Sequence, residues 1–218
     1  MILGASGEGK SRILKHWRGV RARAAGTITV DGEKVQRMTG NFAYMPQNDL
    51  LFPWKTILDN VCLYGRIHGT AEEARREAME NMAAFGLAGY EKSYPTALSG
   101  GMRQRAAFLR TALCKSDILL LDEPFGALDV ITRGEMQDWL LSMRRKMNRA
   151  VVLVTHDMDE AIYLSDRILI LGGHPSRVVS QLIPPAPPEG RSRDWLYGQG
   201  DLRRRIHREI MGEESEGA

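Results

Sequence analysis

The apolar run Ile118-Leu-Leu-Leu121, closed by Asp122-Glu123, constrains the fold of this chain more than any other stretch. It carries no polar residue on either alternating face, so a strand built from it must be covered on both sides. Strands of that kind belong to parallel sheets flanked by helices, and their carboxyl ends are where open α/β sheets bind ligands. Val151-Val-Leu-Val-Thr155 repeats the pattern and ends on His156. Other strands are expected at Gly26–Gly32, with an Asp-Gly turn, at Asn41–Met45, stopped by Pro46, and at 167–171 and 177–182. Helices are expected at 10–19, 56–68 and 71–85, with Gly69-Thr70 as break and cap, and at 99–113, 130–147, 158–164 and 201–211. Alternating strands and helices imply an α/β fold with a mostly parallel sheet. From about 49 to 117 only helical patterns occur, so this stretch reads as an inserted helical subdomain. Pro184-Pro-Ala-Pro-Pro188 reads as a stiff linker to a basic C-terminal helix.

Three segments carry chemistry. Gly4-Ala-Ser-Gly-Glu-Gly-Lys-Ser11 fits a phosphate loop, with Gly4, Ser6, Gly7 and Gly9 exposing backbone N–H groups. A helix starting there points its positive end at the anion. Lys10 would neutralise β- and γ-phosphate charge, and the Ser11 hydroxyl would ligate Mg²⁺. The bland alternative is a glycine-rich turn with a surface lysine. In the second segment, Asp122 would hold Mg²⁺ and Glu123 would act as general base toward water; alternatively the pair caps a helix before Pro124. In the third, Ser99, Gly100 and Gly101 open a helix whose free N–H groups form a second anion site, or a Ser N-cap with flexible glycines.

The Gly4–Ser11 loop, the Leu98-Ser-Gly-Gly-Met-Arg-Gln-Arg105 segment and the Ile118–Glu123 run, in this order, resemble the ATP-binding cassette (ABC) family from Gly4 to about His156. The resemblance implies a P-loop NTPase of RecA-like architecture, ATP and Mg²⁺ as cofactors, and ATP hydrolysis. It assigns Gln47 to the Q-loop, touching Mg²⁺ or the attacking water. It assigns His156 to the γ-phosphate and Asp129, in Phe125-Gly-Ala-Leu-Asp129, to the contact between two cassettes. Ser99, Gly100 and Gly101 would close over the ATP held by a second subunit, so a head-to-tail dimer is implied, a homodimer in the simplest case. Arg12 departs from the family, which has a second hydroxyl residue there for the α-phosphate. The run from Leu50 to Val61 looks like importers of the nitrate, sulfonate and taurine type, with relatives that carry thiamine-precursor pyrimidines. That group implies transmembrane permease subunits and a solute-binding protein as partners. Leu51-Phe-Pro-Trp54 is then a docking rim or a packed turn.

Composition narrows the alternatives. Lys and Arg number 30 against 27 Asp and Glu, a net charge of +3 too mild to argue for nucleic acid. Cys62 and Cys114 lack metal-type spacing and read as buried reduced thiols. No apolar run approaches the ~18 residues of a membrane span, and no secretory signal precedes the phosphate loop. The expected place is therefore the cytoplasmic face of the membrane, held through the permease. Arg203-Arg-Arg205 and Arg208 are a solvated cluster or face anionic lipid. The expected division is an ATPase domain over 1–183 and a linker with basic helix over 184–218. Met1-Ile-Leu3 is short for the strand that feeds a phosphate loop, and the family's earlier strands are not in the sequence, so an N-terminally truncated chain or a misassigned start is expected. Rival functions are a soluble cassette ATPase of DNA repair or translation, and a truncated cassette that binds without hydrolysis.

Overall fold

The computed structural model describes residues 1–5, 7–19, 26–35, 40–147, 149–187 and 190–212. In chain order its elements begin with β1 (Ile2–Leu3), α1 (Lys10–Trp17), β2 (Thr29–Val30), β3 (Glu33–Lys34) and β4 (Phe42–Met45). Helices α2 (Ile57–Val61), α3 (Leu63–Ile67), α4 (Ala71–Met82) and α5 (Gly100–Ala112) follow, then β5 (Ile118–Asp122), α6 (Val130–Met147) and β6 (Ala150–Thr155). The chain continues through α7 (Met158–Leu164), β7 (Ile168–Gly172), β8 (Arg177–Leu182), α8 (Arg193–Tyr197) and α9 (Gly200–Met211). Two compact units result, one from Met1–Lys34 with Val152–Ala218, the other from Val35–Val151.

In the first unit, β1 lies between β6 and β7 and runs parallel to both. Leu3 registers with Thr155 on one side and Ile170 on the other. Ile2 and Leu3 thus fill the place of the strand that leads into the phosphate loop, short as that stretch is. Strand β8 adds antiparallel to β7. Leu3, Leu14, Val154, Ile162, Ile168 and Ile170 are all buried, as strands covered on both faces require. Strands β2 and β3 form a hairpin around Asp31-Gly32, where both residues have positive φ, the geometry of a type I′ turn. The segment expected as a linker is pinned: Pro184 is buried. Helix α8, whose five residues give no periodic signal, was not expected; Ser192 caps it by accepting from Trp195 N–H at 3.1 Å.

In the second unit, β4 and β5 pair in parallel, Phe42 with Ile118 through Met45 with Leu121. Only helices and the short 3₁₀ turn 95–97 lie between them. An edge-to-face aromatic cluster fills the core, with Phe85 against Trp139 at 4.4 Å and Phe108 against Phe125 at 5.9 Å between centroids. The helix expected over 56–68 breaks at Cys62, whose φ of −81° and ψ of 5° leave helical geometry between α2 and α3. Thr70 precedes α4 but its side chain makes no capping bond. Ser99 does cap α5, accepting from Met102 N–H at 3.3 Å. Both cysteines are free thiols; Cys62 is buried, which pushes its pKa up, while Cys114 is only half-buried. Among the described residues no helix is long and apolar enough to cross a membrane.

Asn60 is fully buried and braces the loop before α2. Its side chain accepts from Phe52 N–H at 2.7 Å and donates to the carbonyls of Phe52, Lys55 and Thr56 at 3.0–3.2 Å. Asn60→Ala takes the side-chain partner from Phe52 N–H and from the Lys55 carbonyl, each a loss of about 1–3 kcal/mol, while the Phe52 and Thr56 carbonyls keep their bonds from Lys55 and Asn60 N–H. Relaxation and water entry recover part of it, so thermal denaturation should show a net loss of about 2–4 kcal/mol.

Candidate active site

The loop after β1 turns because Gly9 takes φ 79°, a left-handed conformation that disfavours side chains, and so caps α1 from its N-terminal side. Gly4 has a different reason. A Cβ there would sit 3.0 Å from the Leu171 carbonyl oxygen, so only glycine lets the loop leave β1 against β7. Cβ positions at Gly7 and Gly9 meet nothing within 4 Å, which leaves backbone N–H groups open to a ligand. No acidic side chain occupies the first turn of α1. Lys10, only 5% exposed, folds back so that Nζ donates to the carbonyls of Gly4 and Ala5, at 2.7 Å each. A buried ammonium among backbone carbonyls, beside an anion-seeking helix N-terminus, fits the phosphates of ATP. Ser11 follows on α1, half-buried, and Arg12 is exposed. Ser6 lies outside the described residues.

Register places His156 beside this loop. Leu3 pairs with Thr155 in parallel, so Gly4 and His156 leave adjacent strands at the same sheet edge, about 5 Å apart in the pairing direction. His156 is exposed there.

The second unit brings Gln47, Asp122 and Glu123 together by the same logic. Met45 pairs with Leu121, so Gln47 and Glu123 both emerge two residues beyond paired positions. Gln47 Nε2 donates to Glu123 Oε2 at 3.2 Å, and the Tyr44 hydroxyl donates to Asp122 Oδ2 at 3.1 Å. Asp122 is 2% exposed. Glu123 has φ 48°, a conformation that costs a non-glycine residue on the order of 1–3 kcal/mol and collects at functional sites. Among the described residues no three His, Cys, Asp or Glu side chains converge into a metal cage. One buried carboxylate held by a hydroxyl suits Mg²⁺, which keeps most of its ligands as waters and substrate phosphates. Tyr44 was missed in the sequence; it is one aromatic in an expected strand, and only pairing with β5 brings it to Asp122.

Ser99 and Gly100 are exposed at the start of α5, with no acidic side chain in its first turn. A Cβ at Gly101 would sit 3.6 Å from Leu128 Cδ2, so this helix start lies against the segment that leads to Asp129. Asp129 Oδ1 accepts from Ile131 and Thr132 N–H, at 3.1 and 3.0 Å. The Thr132 bonds hold this exposed carboxyl below its usual pKa. Asp129 therefore has a structural task, at the start of α6, beside the cassette contact the family resemblance implies. Gln104 Nε2 donates to the Pro124 carbonyl at 3.3 Å, tying α5 to the residue after Glu123.

These features agree with a match between residues 1–126 and the model of the ABC transporter family. The chain belongs to that family. It is an ABC ATPase cassette that binds ATP. It is 46% identical over 186 residues to the formylaminopyrimidine import ATP-binding protein ThiZ of Halalkalibacterium halodurans, covering 84% of this chain and 72% of the relative. It is 40% identical to the taurine import ATP-binding protein TauB of Rhizobium johnstonii, covering 83% and 70%. Among solved structures, the ABC cassette MJ0796, a dimer in a post-hydrolysis state bound to ADP and Pi, superposes with a TM-score of 0.74 at 27% identity over 85% of each chain. The relatives are import proteins, which does not favour the DNA-repair or translation reading.

Proposed function

We propose that this cassette is the ATP-hydrolysing subunit of an importer for a small solute of the nitrate, sulfonate, taurine or thiamine-precursor type. The Gln47–Glu123 hydrogen bond carries the mechanistic reading: a carboxylate is held at a parallel sheet edge, in a strained conformation, by an amide that can also orient water. Glu123 takes the proton of the attacking water. His156 hydrogen-bonds the γ-phosphate and holds the in-line geometry. Gly4, Ser6, Gly7 and Gly9 wrap the phosphates and Lys10 neutralises them. The family resemblance assigns Ser11 of the first unit, and Asp122 and Gln47 of the second, to Mg²⁺, which when bound would neutralise charge developing on the phosphate oxygens. Ser99, Gly100, Gly101 and Asp129 serve the ATP of a second cassette, a second copy of this chain in the simplest assembly; the solved dimer of MJ0796 supports that arrangement. In this reading residues 1–183 form the ATPase domain, with 49–117 as its helical part, and 184–218 an appendage.

The docking rim for the permease is Leu50, Phe52 and Trp54. Leu50 and Trp54 are 63% and 69% exposed, and the Phe52 and Trp54 rings pack at 5.2 Å. Arg110 holds the base of the rim by donating to the carbonyls of Asp49 and Leu50, at 2.7 and 2.8 Å. An exposed, backbone-braced aromatic pair is what interface cores use.

Co-expression with a multi-spanning permease, followed by affinity purification from membranes, tests the assignment. The cassette should come down with the membrane protein, and transport of solute should consume ATP. Recovery alone, or with ribosomes or DNA, overturns it. Trp54→Ala should weaken the association by about 2 kcal/mol, roughly 30-fold, as loss of a buried interface aromatic does. Titration of the detergent-solubilised permease measures it, and ATP binding by the isolated cassette should be kept.

A further inference from the structure

The segment after the Pro-rich stretch is absorbed by neither nucleotide binding nor docking, yet it is heavily bonded. Its contacts converge on α7, the helix that follows His156. The residues on either side of His156 are tied to the first turn of that helix. Asp157 Oδ1 accepts from Asp159 and Glu160 N–H at 2.8 and 3.1 Å. The Thr155 hydroxyl accepts from Asp157 N–H at 3.0 Å and donates to Glu160 Oε2 at 2.7 Å, with Thr155 and Glu160 both buried. With the register of β6 fixing one side, where α7 sits therefore sets the other side of His156. A helix of seven residues does not hold itself.

Core packing of Ala161, Ile162 and Leu164 holds one face of it, and two arginines hold its ends. At the C-terminal end of α7, Arg191 Nη1 donates to the carbonyls of Tyr163 and Ser165, at 3.1 and 2.6 Å. The same guanidinium donates from Nε to the Pro185 carbonyl at 3.1 Å and from Nη2 to the Pro184 carbonyl at 3.3 Å, and lies 5.3 Å from the Trp195 ring. A cation at a helix C-terminus also meets the negative end of the helix dipole. At the first turn, Arg203 Nε donates to Asp159 Oδ1 at 2.6 Å, and Arg203 Nη2 reaches the Leu196 carbonyl at 3.4 Å. Between these points Arg193 lies 4.3 Å over the Tyr163 ring, while Leu196 and Ile206 anchor α8 and α9 in the core. The two grips lie four to six residues apart along α7, about 6–9 Å at the helical rise.

We infer that Arg191 and Arg203 form a clamp that positions His156 for ATP hydrolysis, so that the C-terminal segment sets turnover without touching nucleotide. Arg191 is the principal member. Its planar fork serves four carbonyls from one head, which a lysine does not reproduce. Arg203 is the lesser, since its ion pair with Asp159 is partly exposed. The basic character of the segment has the same explanation. Arg203, Arg204 and Arg205 pair with Asp159, Asp201 and Glu209, so much of the charge is answered within the chain.

The inference rests on the assignment of His156 to the γ-phosphate, and the experiment separates the two. Steady-state Mg-ATP hydrolysis and fluorescent-nucleotide binding are measured on the full chain with Arg191→Ala, Arg191→Lys, Arg203→Gln and His156→Ala, well below each variant's melting temperature. Small displacements of a positioned group cost large factors in rate. Arg191→Ala should lower kcat about tenfold, with KM and nucleotide affinity within about twofold. Arg191→Lys should recover part of the loss, and Arg203→Gln should lower kcat about threefold. Amide exchange should quicken over 159–164 in Arg191→Ala and stay unchanged over α1. Wild-type turnover in Arg191→Ala beside an inactive His156→Ala overturns the clamp alone. An active His156→Ala overturns the assignment beneath it. A joint fall of kcat and nucleotide affinity, with exchange quickened in α1 as well, also overturns the clamp, because the arginine would then support the unit as a whole.

Discussion

Glu123→Gln is expected to lower ATP turnover by about 10²–10⁴-fold, the range that a positioned general base contributes, while ATP binding survives. The variant is informative because it removes one property. Glutamine has the shape of glutamate, and its amide oxygen can still accept from Gln47 Nε2, now 3.2 Å from Glu123 Oε2. What is lost is the capacity to take a proton from water. Asp122 keeps its bond from Tyr44, and Lys10 is untouched. Single-turnover hydrolysis measures the rate, and nucleotide titration measures the binding. Cassettes that bind ATP and do not hydrolyse it should accumulate as the closed pair, visible as a dimer by light scattering in Mg-ATP. Turnover within threefold of wild type would remove Glu123 from the role of base. Backbone strain gives a second handle on the same residue. At φ 48° glycine rests without cost, so Glu123→Gly should be equally inactive yet fold with a stability within about 1 kcal/mol of wild type, the relief of strain offsetting the added freedom of the unfolded chain.

Much of this centre was legible in the sequence because parallel sheets put chemistry at one edge by register alone. An apolar run that ends in Asp122-Glu123, and another that ends in His156, announce both the strand and where its last residues point. Gly9-Lys10-Ser11 announces a helix start by the same local logic. What stayed hidden depends on partners distant in sequence. Tyr44 is 78 residues from Asp122, and nothing near it says that its hydroxyl will meet a carboxylate. Asn60 reads as an ordinary helix residue until its amide is seen answering the backbone of the loop before it. The break at Cys62 followed no proline or glycine. The bonding of the Pro-rich segment stayed hidden for a related reason. Prolines fix the local conformation but carry no record of what their carbonyls bond, and here Pro184 and Pro185 accept from Arg191. Charge patterning likewise showed a basic helix without showing that its arginines have carboxylate partners.

Lys10→Ala is expected to weaken Mg-ATP binding by about 10–150-fold, the equivalent of about 1.5–3 kcal/mol for hydrogen bonds to a charged group. The loop is built around this side chain. Burial would ordinarily penalise the ammonium, and the Gly4 and Ala5 carbonyls offset that penalty at 2.7 Å each. In the proposed reading phosphate oxygens would replace the carbonyls as acceptors, an anion being the better partner for a cation in a partly dry site. Alanine removes that gain while leaving the helix N-terminus and the glycine N–H groups, so binding falls and is not abolished. Lys10→Arg should not restore it, because a rigid fork of five donors does not enter a nest sized for a single ammonium. The fold should tolerate the loss, since a buried charge goes with it and the exposed Ala5 can turn to water, leaving only the buried Gly4 carbonyl without this partner, and a shift in Tm of only a few degrees is expected. Calorimetric titration of Mg-ATP decides the matter. Affinity within twofold of wild type would mean that the loop does not cradle phosphate through Lys10, and the Gly4–Ser11 segment would then be a structural turn. A fall for ATP and ADP of equal size would place the lysine on the β-phosphate, whereas a fall confined to ATP would place it on the γ-phosphate.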